Sequence, residues 1–128
     1  MPTPDLAARI ALALLGLVAL FQLSLAMGAP LGRFAMGGAY PGVYPRPMRL
    51  VALAQILVYA LAAACVASFM GWLAPDLRAS AHIGVWLFAG LFGVGTLLNL
   101  ASKSLPEKLV WTPVALALCL CFVRLAIA

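Results

Sequence analysis

Charge is what this chain has least of. Only 9% of its 128 residues are Asp, Glu, Lys or Arg, and only three of those are acids. A water-soluble domain carries about 25%, so a soluble fold is excluded. There is one histidine, His82, which excludes bis-histidine haem and a histidine-rich metal site. The eight basic residues are scattered singly along the chain, so the basic stripe that nucleic-acid binding needs is absent. Cys65, Cys119 and Cys121 all lie inside apolar runs, where a lone thiol behaves as a small hydrophobe, and no disulfide framework follows. On a helix Cys119 and Cys121 point roughly 200° apart, which does not suit a metal pair. No metal and no other cofactor is expected. Beyond Ser80, read as a helix cap, His82 has no Ser or Cys near it, the acids Asp5, Asp76 and Glu107 sit at helix starts or in a link, and nothing specifies an enzyme.

What the chain has in abundance is hydrophobicity: 66% of residues, with a mean hydropathy of +1.15. The pattern predicts an all-α fold in a single domain over residues 1–128, a polytopic membrane protein of four transmembrane helices in an up-down-up-down bundle. A span needs about 20 apolar residues to cross a hydrocarbon core of about 30 Å. The first helix is expected over 5–27, started by Thr3 before Pro4 and Asp5. A cleaved signal peptide ending near SLAMGA is its rival, but the apolar run is longer than a usual signal core, and a retained helix is the reading taken. The second helix is expected over 50–74, rich in alanine and ending before Pro75. The third covers 81–101, with Ser80 as its cap and Gly84, Gly90, Gly93 and Gly95 as a packing face. The fourth covers 105–127. Ser104-Leu105-Pro106-Glu107 fits a capping box in front of it, and Pro113 falls inside it, where a kink is expected.

One long stretch interrupts the oil. Residues 28–49 carry five glycines, four prolines and three arginines and form the loop around which the spans are organised. Gly37-Gly38 is not a phosphate loop, since no G-K-[S/T] follows and no strand precedes it. Arg33, Arg46, Arg49, Lys103 and Lys108 lie on the side of this loop, against Arg9, Arg78 and Arg124 on the other. Five against three places the loop and the link before the fourth helix in the cytoplasm, and both termini outside.

Polar residues within spans are costly and mark functional positions. Gln22, Gln55 and Asn99 all lie within two turns of the loop side, and Tyr59 follows Gln55 at i+4, on the same helical side. The expectation is a shallow polar pocket roofed by the loop, with Arg33, Arg46, Ser102 and Ser104 at its mouth. Two readings stay open for the amides: lining a ligand site, or bonding helix to helix. Ser104 and Glu107 read as helix caps, with a salt bridge from Glu107 to Arg33 or Arg46 as the alternative. The arginines themselves fit lipid phosphates. His82 reads as a solvated interfacial residue, and Trp72, Trp86, Trp111, Tyr40 and Tyr44 as an aromatic belt near the span ends.

Two stretches, GAPLGRFAMGG with PGVYPRPMRL (28–38 and 41–50) and NLASKSLPEKLVWTPVALAL (99–118), resemble the GAP-x-G…GG…GV-x-P-x-x-x-R loop and the N-x-x-S-x-S-x-x-E…PVAL segment of a family of small bacterial integral membrane proteins with no assigned activity. The resemblance runs over the whole chain. It implies four spans and draws attention to the same two loops, but implies no reaction. Where that family often has an aromatic after GAP, this chain has Leu31.

The function expected from these features is a non-catalytic module of the bacterial inner membrane. It would serve in accessory, assembly, lipid-binding or ligand-binding work through its Gly/Pro loop face. The alternatives are an oligomeric small-solute transporter or channel, and an enzyme acting on lipid headgroups through Glu107 with Arg33 or Arg46. Expected partners are membrane lipids and either further copies of the chain or a larger membrane complex.

Overall fold

The computed structural model describes residues 2–128. Four helices make up most of it: α1 (Pro4–Ala26), α2 (Arg46–Phe69), α3 (Arg78–Leu100) and α4 (Leu105–Ala126). Each is long and apolar enough to cross a membrane. Their exteriors are paved with exposed leucines, such as Leu20, Leu57, Leu87 and Leu109. That surface suits lipid and would be hazardous in water.

Local signals account for the helix ends. Thr3 accepts a hydrogen bond from the Leu6 N–H at 3.2 Å and caps α1. Ser104 does the same for α4, accepting from the Glu107 N–H at 3.4 Å. α2 starts and stops about one turn earlier than its sequence suggests. Pro47 sits in its first turn, where a missing N–H costs nothing, so the helix begins at Arg46 and not after the prolines. It ends at Phe69 because Gly71 takes the left-handed conformation (φ +78) that closes a helix. Arg78 covers this end, donating from Nε to the Phe69 carbonyl at 3.0 Å. Ser80 does not cap α3: a 3-10 turn over Pro75–Leu77 leads into the helix at Arg78, and no side chain caps it.

α1 packs on α2 and α4, and α3 packs on α2 and α4, closing a ring of four. At one end His82 of α3 bonds the Ala126 carbonyl of α4 at 2.7 Å, and Arg124 donates to the Pro2 carbonyl at 2.8 Å. Arg9 of α1 lies over the Trp72 ring just past α2, at 5.4 Å. The main core fills this end and the middle, built on Ala7, Ala11, Val66, Val85, Phe122 and Leu125. His82 is therefore not a solvated interfacial residue. It is half-buried and stacked on Phe69 with centroids 5.2 Å apart.

The expected glycine face on α3 divides. A Cβ at Gly84 would stand 2.6 Å from the Cys65 sulfur on α2, and one at Gly93 would touch Cys119, whereas Gly90 faces open space and Gly95 lines a cavity. Gly84 thus makes room for Cys65 at the α2–α3 contact, the role small residues play where lipid gives no hydrophobic drive. Gly84→Leu is expected to part the two helices and destabilise the bundle by about 3 kcal/mol. A thermal melt in detergent checks this, and an unchanged midpoint would mean the interface is not held there.

Candidate functional site

The other end of the bundle carries the long loop, residues 27–45, and a cavity beneath it. The loop turns through two short 3-10 helices, Gly32–Phe34 and Met36–Gly38, and folds back on itself through a Gly32 N–H to Gly42 carbonyl bond of 2.8 Å. No residue but glycine fits at 32, because a Cβ there would overlap the Tyr40 carbonyl oxygen and lie 2.8 Å from that of Gly42. A second small core of Leu25, Ala35, Tyr44, Met48 and Ala52 anchors the loop to the helix ends. Arg49 adds a tie, donating from Nε to the Tyr44 carbonyl at 3.0 Å.

Two fasteners hold the loop onto α4. The Ser104 hydroxyl donates to the Arg33 carbonyl, and the Gly37 N–H donates to Glu107 Oε2 at 2.8 Å. The same carboxylate oxygen accepts from the Ser102 hydroxyl at 2.6 Å. Ser104 is an N-cap as its sequence suggests, but the capping box is half-formed: Glu107 reaches forward to the loop and to Ser102, not back to the Ser104 N–H. Nor is Glu107 bridged to Arg33 or Arg46. Among the described residues the one ion pair is Arg9–Asp5. Glu107 is 91% buried (9% exposed), accepts two hydrogen bonds and has no basic partner.

The cavity encloses about 460 Å³. Its polar lining comprises Gln22, Gln55, Tyr59, Asn99, Ser102 and Glu107. Gln22 Nε2 donates to Gln55 Oε1 at 2.9 Å, and the Tyr59 hydroxyl donates to the same oxygen at 3.3 Å. Asn99 Nδ2 donates to the Trp111 carbonyl at 3.3 Å, bracing α3 on α4. These bonds leave each of the three amides with polar atoms to spare. The amides thus join helices and at the same time face a cavity.

The arginines stand apart. Arg33 and Arg46 are exposed and contribute nothing to the lining; the Arg33 guanidinium lies 5.0 Å from the Phe34 ring centroid. Ser104 serves the cavity only through its bond to the Arg33 carbonyl.

Five aromatic residues stand in the remaining wall among aliphatic ones: Phe21, Phe34, Tyr44, Phe92 and Trp111. Phe21 and Trp111 pack together with centroids 4.6 Å apart. Trp111 is thus no simple belt residue, and its indole N–H is buried without a partner. Tyr44 is also buried, 3% exposed. Burial first, then the negative charge of Glu107, raises its phenol above the ordinary range, so it stays neutral. Met36, another lining residue, holds a left-handed backbone (φ +54) unusual outside glycine, which stores roughly 1–2 kcal/mol of strain in the roof. Periodicity could not have found the aromatic wall, but the concentration of rings within two turns of the loop was readable.

Compared with models of known protein families, with curated proteins and with solved structures, the chain matches none. The cavity is accordingly interpreted from its own chemistry.

Proposed function

We propose that this protein is a multi-pass protein of the bacterial inner membrane that binds a small ligand beneath its Gly/Pro loop and catalyses no reaction. One observation carries the reading: a cavity of about 460 Å³ at one end of the bundle, mostly apolar, with a few convergent polar groups under a fastened roof. Ligand sites have this size and make-up, typically about 300–1,000 Å³. The family resemblance of the two loops supports the bacterial inner membrane, and the Lys/Arg count supports a cytoplasmic loop end.

The geometry favours a binding module over a pore. A permeation path needs polarity through the midplane, whereas the rings of Phe88, Phe92 and Phe122 meet there at 5.3–6.1 Å between centroids. The headgroup-enzyme reading also loses support, because it relied on Glu107 acting with Arg33 or Arg46, which line no part of the cavity. An accessory role within a larger membrane assembly, or among copies of this chain, accommodates a blind binding pocket.

The test replaces Gln22, Gln55 and Asn99 together with leucine. Each lost polar contact is expected to weaken binding roughly tenfold or less. Native mass spectrometry of protein drawn gently from its own membrane should show a small molecule on the wild type and none on the triple variant, with helical circular dichroism unchanged. A ligand retained by the folded variant would sink the reading.

A further inference from the structure

The charge balance of the cavity narrows its ligand. We infer that the cavity takes a small organic cation, a substituted ammonium group held between the Glu107 carboxylate and the aromatic wall; the inference rests on the cavity being a ligand site. A buried carboxylate ordinarily has an Arg or Lys beside it, since an uncompensated charge away from water is very costly. Here none is supplied. No Lys, Arg or His lines the cavity, and Glu107 takes part in no ion pair. Its two hydrogen bonds both fall on Oε2, from the Gly37 N–H and the Ser102 hydroxyl, so neutral donors hold one oxygen. Oε1 receives no hydrogen bond from any described residue. The site therefore presents a carboxylate, half-coordinated, to the space it lines.

The rest of the wall fits the same occupant. Phe21, Phe34, Tyr44, Phe92 and Trp111 line the cavity, and aromatic faces attract cations most strongly when the cation is out of water. An aromatic wall with one acid is the arrangement that recognises alkylated ammonium. An anion would meet repulsion from Glu107. A neutral apolar molecule would leave the carboxylate uncompensated. The Arg33 guanidinium stands over Phe34, but Arg33 is exposed and outside the lining.

The ammonium could come from a free solute or from an aminated lipid headgroup, and the test separates the two. A variant that keeps Trp111 alone (Trp72→Phe, Trp86→Phe) and is otherwise wild type is titrated in phosphatidylglycerol nanodiscs with benzyltrimethylammonium and with neopentylbenzene, its uncharged carbon isostere, following its tryptophan fluorescence. The cation should bind about 30-fold more tightly than the isostere. Glu107→Gln, which keeps an oxygen to accept from Gly37 and Ser102, should cut that preference severalfold through loss of the carboxylate, the aromatic faces retaining the rest, and an undiminished preference would overturn the carboxylate's part. Repeating the titration with phosphatidylethanolamine in the disc assigns the source: weaker apparent binding means that the headgroup competes, and unchanged binding means a free solute. Equal binding of both probes would overturn the cation inference and leave the cavity a ligand site. Binding of neither would overturn the ligand-site reading itself. Should Glu107→Gln fail to fold, the preference of the protein with Glu107 intact for the charged probe still decides.

Discussion

Glu107→Ala is expected to destabilise the loop end by about 2–3 kcal/mol and to open the Gly37 N–H to solvent exchange. The side chain is the sole acceptor for the Gly37 N–H and the main one for the Ser102 hydroxyl. Hydrogen bonds to a charged group contribute about 1.5–3 kcal/mol each, and the donors left behind would be part-buried and unpaired. Ser104 would still hold the Arg33 carbonyl, so the roof should loosen on its Met36–Gly38 side first. Amide hydrogen exchange read residue by residue can show this: Gly37 should lose protection while α2 and α3 keep theirs. Equal protection in variant and wild type would mean that the carboxylate is not what fastens the roof.

The second large effect is expected from Gly32→Ala. A single methyl there has nowhere to go, because both flanking obstacles are backbone, the carbonyls of Tyr40 and Gly42. The 40–42 segment must move, and the 2.8 Å bond from the Gly32 N–H to Gly42 breaks with it. Overpacking of this kind costs about 3 kcal/mol. Because Tyr44 lies two residues further on and lines the cavity, ligand binding should fall along with stability. Gly16→Ala is the matched control. A Cβ at Gly16 meets nothing within 4 Å, and alanine is the better helix former. If the two variants melt together, the tight turn at Gly32 is not a determinant of the loop.

Much of this architecture was legible in the residues. Apolar runs of span length fixed four helices, and Thr3 and Ser104 marked two of their starts. The clustering of Gln22, Gln55, Tyr59 and Asn99 at one end was also readable, since distance from a span end sets depth in the bundle. Direction is another matter. Arg33 and Arg46 lie at the correct level but point away, because a loop residue's level says nothing about which way its side chain turns. The partner of Glu107 was equally hidden: Gly37 lies 70 residues away and offers a backbone N–H, which any residue but proline would offer. At α2, Pro47 and Gly71 carried the true boundaries, and the apolar run extending past Gly71 masked them.

The roof also fixes when the site can exist. Its two fasteners join residues 70 and 71 positions apart, and every wall of the cavity belongs to a different helix. During synthesis α1, the loop and α2 enter the bilayer first, with the loop's free N–H and carbonyl groups still in contact with water. Only the arrival of Ser104 and Glu107, at the start of the last span, gives them partners. On the proposed reading, a ligand can therefore enter only late in biogenesis, once all four spans have been threaded and docked.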